Sequence, residues 1–321
     1  MAGTNQVKMA GKSDEALISK IILILSRIIA YTMLIVTAII CLFFFYLLFV
    51  NATRSNAQLQ AGFTLLPKGH FFDNLKNAWT DSSINIPRGM LNSFIIAAIS
   101  AVLTTYFSAL TAYGIHCYDF RLKGVVFKFI MAIMMIPPQV SAVGFIKLCN
   151  TRLFSPLTFL PFLHEGSKLY DWAYSFDLTN NYLPLILPGI AAPVVFFYMK
   201  QYMEATLPLE IVEAARVDGS GEFHTFNRII IPIMMPAIAV QLIFSFVQSW
   251  NNFFIPSMII DKPELRTVPM QIANLRSADF AKFDLGKVYM FILLAIFPVL
   301  LTYFALSKFI IKGVSEGSVK G

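Results

Sequence analysis

The chain has 321 residues, 57% of them hydrophobic and only 13% charged, with a formal net charge of +7. Soluble domains carry about 25% charged residues, so this balance argues against an ordinary soluble domain and makes lipid a large part of the solvent. Lys and Arg are scattered between apolar segments, with no basic stripe interleaved with aromatics. That pattern argues against nucleic acid and suits anionic lipid headgroups.

A helix needs about 20 mostly apolar residues to cross roughly 30 Å of hydrocarbon. Six stretches qualify, at residues 29–51, 90–115, 126–148, 183–200, 229–255 and 287–311. The polar stretch before them is too long for a cleaved signal peptide and has no small-residue cleavage site after a short apolar core. Residues 16–27 are mixed and read as an interfacial helix. The first span is dense in aliphatic and aromatic residues, including Phe43, Phe44, Phe45 and Tyr46.

The second span carries the small residues Ala97, Ala98, Ser100, Ala101, Ser108, Ala109, Ala112 and Gly114. Small residues let membrane helices approach closely, which predicts a helix packed inside the bundle. Pro137 and Pro138 fall in the middle of the third span, Pro184, Pro188 and Pro193 in the fourth, and Pro298 in the sixth. Each removes an internal hydrogen bond and predicts a kink, whose freed carbonyls need protein or water as partners.

Long polar connections cover residues 51–89, 149–182 and 256–286, so alternation puts them on one side and both termini on the other. Lys and Arg divide almost evenly between the sides and orient the chain only weakly. No ionisable residue lies deep in a span, which argues against a proton-coupled carrier, an ion pump or an intramembrane protease. Cys41, Cys117 and Cys149 sit in or beside apolar stretches and read as filler. His70, His116, His164 and His224 have no metal-ligand spacing, and no phosphate-binding loop occurs. No cofactor is therefore expected, and no ATPase or hydrolase activity in the chain itself.

One polar stretch, residues 210–232, precedes the fifth span. It reads as two short helices around a turn. Residues 210–217 are helix formers, with Ile211, Ala214 and Ala215 on a shared apolar face. Asp218-Gly219-Ser220-Gly221 is the turn, and Glu222 suits the positive end of a second helix. Phe223 and Phe226, three apart on that helix, are expected to pack on a common surface. Pro232 opens the fifth span.

This stretch resembles the cytoplasmic coupling motif of importer-type ATP-binding-cassette (ABC) permeases. The family pattern is Glu-Ala-Ala, three residues, Gly, nine residues, then Ile-x-Leu-Pro. Glu213, Ala214, Ala215, Gly219, Ile229 and Pro232 fall at the matching positions, with Ile231 in place of Leu. Leu91-Asn92-Ser93, Pro137-Pro138, Ser249-Trp250-Asn251-Asn252-Phe253, Leu265-Arg266-Thr267-Val268-Pro269 and residues 313–321 look like the carbohydrate, or maltose-type, branch. The usual member has an acidic residue where Asn252 stands. The segment 151–181 is longer and more aromatic than the family pattern, with Phe154, Phe159, Phe162, Tyr170, Trp172, Tyr174 and Phe176. A structural cap and a surface for a partner are both open readings of it.

The resemblance implies an all-α, polytopic membrane helical bundle of six transmembrane helices, with a cytoplasmic coupling loop between the fourth and fifth. It divides the chain into a cytoplasmic segment at 1–28, a transmembrane domain at 29–311 with the coupling loop near 202–228, and a cytoplasmic tail at 312–321. It implies a permease subunit of a sugar importer in a bacterial cytoplasmic membrane. The partners implied are a second permease in a heterodimer, two ATPase subunits and an extracytoplasmic solute-binding protein. Glu213, Ala214, Ala215, Asp218, Gly219, Ile229 and Pro232 would carry coupling to the ATPase, Gly219 because a side chain would obstruct a close turn. Gln139, Gln248, Trp250, Asn251 and Asn252 suit a sugar path by residue type, although helix–helix hydrogen bonding accounts for them equally well. A permease for another polar solute and a non-transporting scaffold are the competing readings.

Overall fold

A computed structural model describes residues 2–81, 84–150, 178–277 and 284–318. All regular elements among them are helical. The aromatic segment 151–181 lies almost wholly outside the described residues. The chain divides into two compact units, Met1–Asn74 with Asp284–Met290, and Leu75–Phe283 with Phe291–Gly321.

In the first unit, α1 (Ala2–Ala52) is a single helix that passes without a break through residues 19–28 into the expected first span. Residues 21–25 are as apolar as the span itself, and neither Gly nor Pro separates them from it. No distinct interfacial helix forms there. α1 from Ala30 to Ala52 is about 35 Å long at 1.5 Å per residue, enough to cross the hydrocarbon. Its side chains from Ser19 to Tyr46 are exposed.

After α1 the chain folds around Arg54, whose side chain is buried. Its guanidinium donates to Gly62 O at 2.6 Å, to Gln58 O, and to Asn51 Oδ1 at 3.3 Å. Buried charge is tolerated when its donors are occupied, and these acceptors occupy most of them. Ser55 and Gln58 form a capping box that starts α2 (Asn56–Gln60). From α3 (Phe71–Trp79), the Asn74 amide donates to Ala52 O at 2.8 Å and Arg54 O at 2.9 Å. Asn56 Oδ1 accepts from Leu285 N at 3.2 Å. Gly286 fits beside this knot because it has no side chain, and a Cβ there would stand 2.6 Å from Arg54 O.

The second unit is organised on α4 (Ile86–Cys117). The small residues Ala97, Ser100, Ala101, Ser108, Ala109 and Ala112 are buried, as expected of a helix packed inside the bundle. The third apolar stretch is bent at the expected prolines, into two short helices, α5 (Lys123–Met134) and α6 (Pro138–Asn150), at 94° to each other. Pro137 and Pro138 supply no backbone donor, and each disfavours helical geometry in the residue before it. The fourth span begins as α7 (Leu183–Ile186), passes a tight turn at Leu187–Ile190, and continues as α8 (Pro193–Thr206). Its prolines sit in first turns, where a missing donor costs little.

The polar stretch forms α9 (Leu209–Val217) and α10 (Glu222–Thr225). A π-turn at Phe226–Ile230 leads into α11 (Ile231–Trp250), so the fifth helical run ends at Trp250 rather than at residue 255. Then come α12 (Phe254–Ile259), α13 (Val268–Ser277) and α14 (Leu285–Ser318), the last with Pro298 inside it. Among the described residues, five helical runs are long and apolar enough to cross a membrane, six if the bent pair is one span.

α4 packs on α8 and α11. Near its N-terminal end, Asn92 donates to Glu264 O at 2.9 Å and Arg266 O at 3.0 Å, and Ser93 Oγ accepts from Val268 N at 2.8 Å. Two segments that carried the family resemblance, far apart in sequence, thus meet each other. Asn180 Oδ1 accepts from Asp261 N and Lys262 N at the same end of the unit.

Replacing Gly286 with Ala drives a Cβ into Arg54 O, and overpacking of this kind costs about 1–3 kcal/mol. The thermal unfolding midpoint of the detergent-solubilised protein should fall. Gly69→Ala, at a position with nothing within 4 Å, should leave it unchanged.

Candidate functional site

The polar connection before α11 is held in a defined shape by its own backbone. α9 ends in a Schellman motif: Ser220 N donates to Ala215 O at 2.9 Å and Gly219 N to Arg216 O at 3.0 Å. That motif puts its closing residue in the left-handed region, and Gly219 has φ +78°. A turn that needs glycine's backbone angles is as expected, whereas obstruction by a side chain is corrected. A Cβ at Gly219 would meet nothing of this chain within 4 Å, so backbone conformation, rather than crowding inside the chain, requires it. Ser220 Oγ and Thr225 Oγ1, 2.8 Å apart, tie the turn to α10.

The buried face of α9 is Val212 and Ala215, with Ile211 half-buried, while Ala214 is exposed. The expected Ile211, Ala214 and Ala215 face is thus rotated toward Val212, which packs in the core with Phe196, Met199, Met203, Leu207, Phe226 and Met234. Phe223 and Phe226 do not share a surface either. Phe226 is 1% exposed, whereas Phe223 is 71% exposed. The π-turn begins at Phe226 and widens the helix just before Pro232, whose ring would crowd the carbonyl four residues back in a regular helix.

Phe226 sits between Tyr106 and Tyr113 of α4, with ring centroids at 5.6 Å and 5.4 Å. Tyr113 also meets Tyr118 edge-on at 5.8 Å. The Tyr113 hydroxyl donates to Glu222 Oε2 at 2.9 Å, and Arg216 Nε donates to Glu222 Oε1 at 3.1 Å. The Arg216 guanidinium lies 4.7 Å from the Tyr118 ring centroid. Hydrogen bonding to Tyr118 and then to Glu222 favours its charged form and holds its pKa above the ordinary guanidinium value. Exposed ion pairs contribute only about 0–1 kcal/mol, so this arrangement fixes geometry more than it stabilises.

Of the residues matching the motif, Glu213, Ala214, Gly219 and Pro232 are exposed, Ile229 is half-buried and Ala215 is buried; Asp218 beside them is exposed. Val217, 87% exposed, stands with Phe223 as an apolar side chain open to solvent on the loop. Sequence reasoning missed Tyr113, Tyr118 and Arg216 as partners of this loop. The one local signal was the opposite charge of Arg216 and Glu222 across the turn; nothing near Tyr113 pointed to a residue so distant in the chain.

The sugar-path candidates lie elsewhere. Gln139 follows the break between α5 and α6 and is exposed, as are Gln248 and Asn251, and Asn252 is half-buried. Trp250 is 2% exposed, its ring stacked on Phe246 at 5.8 Å and 17°. Among the described residues, no group of three or more His, Cys, Asp or Glu is placed to hold a metal.

Phe226→Ala removes a fully buried ring, a change that costs about 3–5 kcal/mol. Gly219→Ala adds only left-handed backbone strain, about 1–2 kcal/mol. Unfolding of the two variants in the same detergent should rank them in that order.

Residues 105–315 match the family described as binding-protein-dependent transport system inner membrane component. The arabinooligosaccharides transport system permease protein AraQ of Bacillus subtilis is 29% identical over 282 residues, covering 86% of this chain and 89% of its own length. The lactose transport system permease protein LacG of Rhizobium radiobacter is 27% identical, covering 92% and 97%. The sn-glycerol-3-phosphate transport system permease protein UgpE of Pectobacterium atrosepticum is 28% identical, covering 90% and 96%. A bacterial ABC transporter that imports the acidic polysaccharide alginate has a chain of the same fold, with a TM-score of 0.68 over 88% of this chain and 95% of that one, at 17% identity. A helical bundle of membrane-spanning length, a loop with the Glu-Ala-Ala and Gly spacing, and a family match over most of the sequence agree: the chain belongs to the inner-membrane permeases of binding-protein-dependent ABC importers.

Proposed function

We propose that this chain is the permease subunit of an ATP-driven sugar importer, with an oligosaccharide as its cargo. In this reading it forms half of the translocation pathway beside a second, non-identical permease. Two ATPase subunits drive it and an extracytoplasmic solute-binding protein delivers the sugar. The loop at 209–225 faces the cytoplasm, as do both termini.

The observation that carries the reading is the loop's exposed face. Val217 and Phe223 are large apolar side chains held open to solvent on a turn with a defined backbone, beside the exposed Glu213, Ala214 and Asp218. Exposed apolar groups on a rigid polar connection suit a protein partner. The motif residues Glu213, Ala214, Ala215, Asp218 and Gly219 would set that surface, with Ile229 and Pro232 leading it into α11. Exposure of the amides of Gln139, Gln248 and Asn251, and partial exposure of Asn252, supports them as hydrogen-bonding groups along a path for hydroxyl-rich solutes. Trp250 would act from behind, by supporting α11 through its stack on Phe246. The oligosaccharide permeases among the relatives support the cargo.

A second reading, a phosphorylated polyol as cargo, is favoured by the sn-glycerol-3-phosphate permease that is similar to the same extent. Calorimetric titration of the partner binding protein with arabino-, galacto- and malto-oligosaccharides and with sn-glycerol-3-phosphate separates the two. Heat with the phosphate ester alone would reject the sugar.

Proteoliposomes containing the purified complex, with the binding protein and MgATP, should take up the sugar so identified. Phe223→Asp puts a charge on the exposed face and should cut uptake about tenfold, the cost of roughly 1.4 kcal/mol at a docking contact. The ATPase should be lost from the tagged permease in parallel. Full uptake by that variant with the ATPase retained would argue against docking at this face.

A further inference from the structure

α9, the Schellman turn and α10 are cross-tied by Ser220 to Thr225 and by Arg216 to Glu222, so they can move as one piece. Besides the packing of Val212 in the core, a covalent and a hydrogen-bonded route lead from this piece into the bundle. The covalent one runs through the π-turn at Phe226–Ile230, where the regular ladder is interrupted and a change of register can absorb an axial push. The other crosses to α4, where the Tyr113 hydroxyl donates to Glu222 at 2.9 Å. The carboxylate is held from both sides, since its other oxygen accepts from Arg216. Tyr118 and Phe226 fix the Tyr113 ring, so its hydroxyl has little freedom to follow the loop without its helix.

α4 is an unbroken helix of 32 residues, about 48 Å long, with no internal Pro past its first turn. Toward its other end Asn92 and Ser93 grip Glu264 O, Arg266 O and Val268 N. We propose that Tyr113 is a positioning residue that carries displacement of the coupling loop to α4, and so to the segment at 264–268 at the opposite end of the bundle. The inference rests on the reading of 209–225 as the ATPase-docking loop. Glu222 is the acceptor through which Tyr113 acts, and Arg216 orients that acceptor.

Tyr113→Phe keeps the ring and the apolar packing of Val212 in the same core, and removes only the donor. The test is hydrogen–deuterium exchange on the purified complex of permeases and ATPases, nucleotide-free and trapped with MgATP and vanadate. In the unaltered complex, nucleotide should change exchange in 209–221 and in 104–118. In Tyr113→Phe the change in 209–221 should persist. The change in 104–118 should shrink about threefold or more, the scale of losing one ordinary hydrogen bond at a partly solvated site. Glu222→Leu should reproduce this effect, and the double variant should add nothing to it. A merely structural role would alter exchange equally with and without nucleotide, and that result overturns the proposal. So does an unchanged response of 104–118 in Tyr113→Phe while 209–221 still responds, which leaves the docking reading intact. If 209–221 fails to respond to nucleotide in the unaltered complex, the docking reading itself falls and the proposal falls with it.

Discussion

Close approach of helices along the small-residue face of α4 is the constraint on which the second unit depends. Lipid gives no hydrophobic drive for one apolar helix to bind another, so contact must come from packing and from polar groups that find partners. Ala97, Ala101, Ala109 and Ala112 let α8 and α11 come close, and Met199, Met203, Met234 and Phe226 fill the space around the half of that face nearest the loop at 209–225. At the other end the same helix uses side-chain amide and hydroxyl groups on backbone atoms of 264–268. One helix thereby joins an apolar core at one end to a polar clasp at the other.

The loop at 209–225 uses different physics. Its turn is shaped by hydrogen bonds within the loop: the Schellman pair of backbone bonds at Gly219 and Ser220 and the side-chain tie of Ser220 to Thr225. It can therefore leave Val217 and Phe223 exposed without losing definition. Rigid presentation of a small apolar surface lowers the ordering cost a partner meets on docking.

Much of this was readable in the sequence because it depends on composition over long windows. Six apolar runs and a stripe of small residues identify spans and the packed helix whatever the details of their ends. The spacing of Glu213, Gly219 and Pro232 is likewise a local fact. What escaped depends on direction and on distant partners. Whether Ala214 or Val212 turns inward is a matter of one residue's rotation on a two-turn helix, settled by the core it meets. Phe226 separated from Phe223 because an aromatic pocket on α4 and a π-turn lie there, and neither leaves a period in the sequence. Trp250 has the chemistry of a sugar-stacking group, yet Phe246, one turn earlier, covers its ring. Pro137 and Pro138 announced a kink but not its size.

That size has a bearing on how the subunit is made. At the break, Met135 is 82% and Ile136 51% exposed, and two successive peptide units have no N–H to give. A ribosome delivering this chain into a bilayer releases a protein with a right-angled bend between α5 and α6, too short on either arm to span alone. Hydrocarbon cannot satisfy the carbonyls such a bend frees, at several kcal/mol for each one left bare. A carbonyl that the bend leaves bare must therefore be met by protein or by water, so this stretch of the chain is better suited to a protein or water environment than to open lipid.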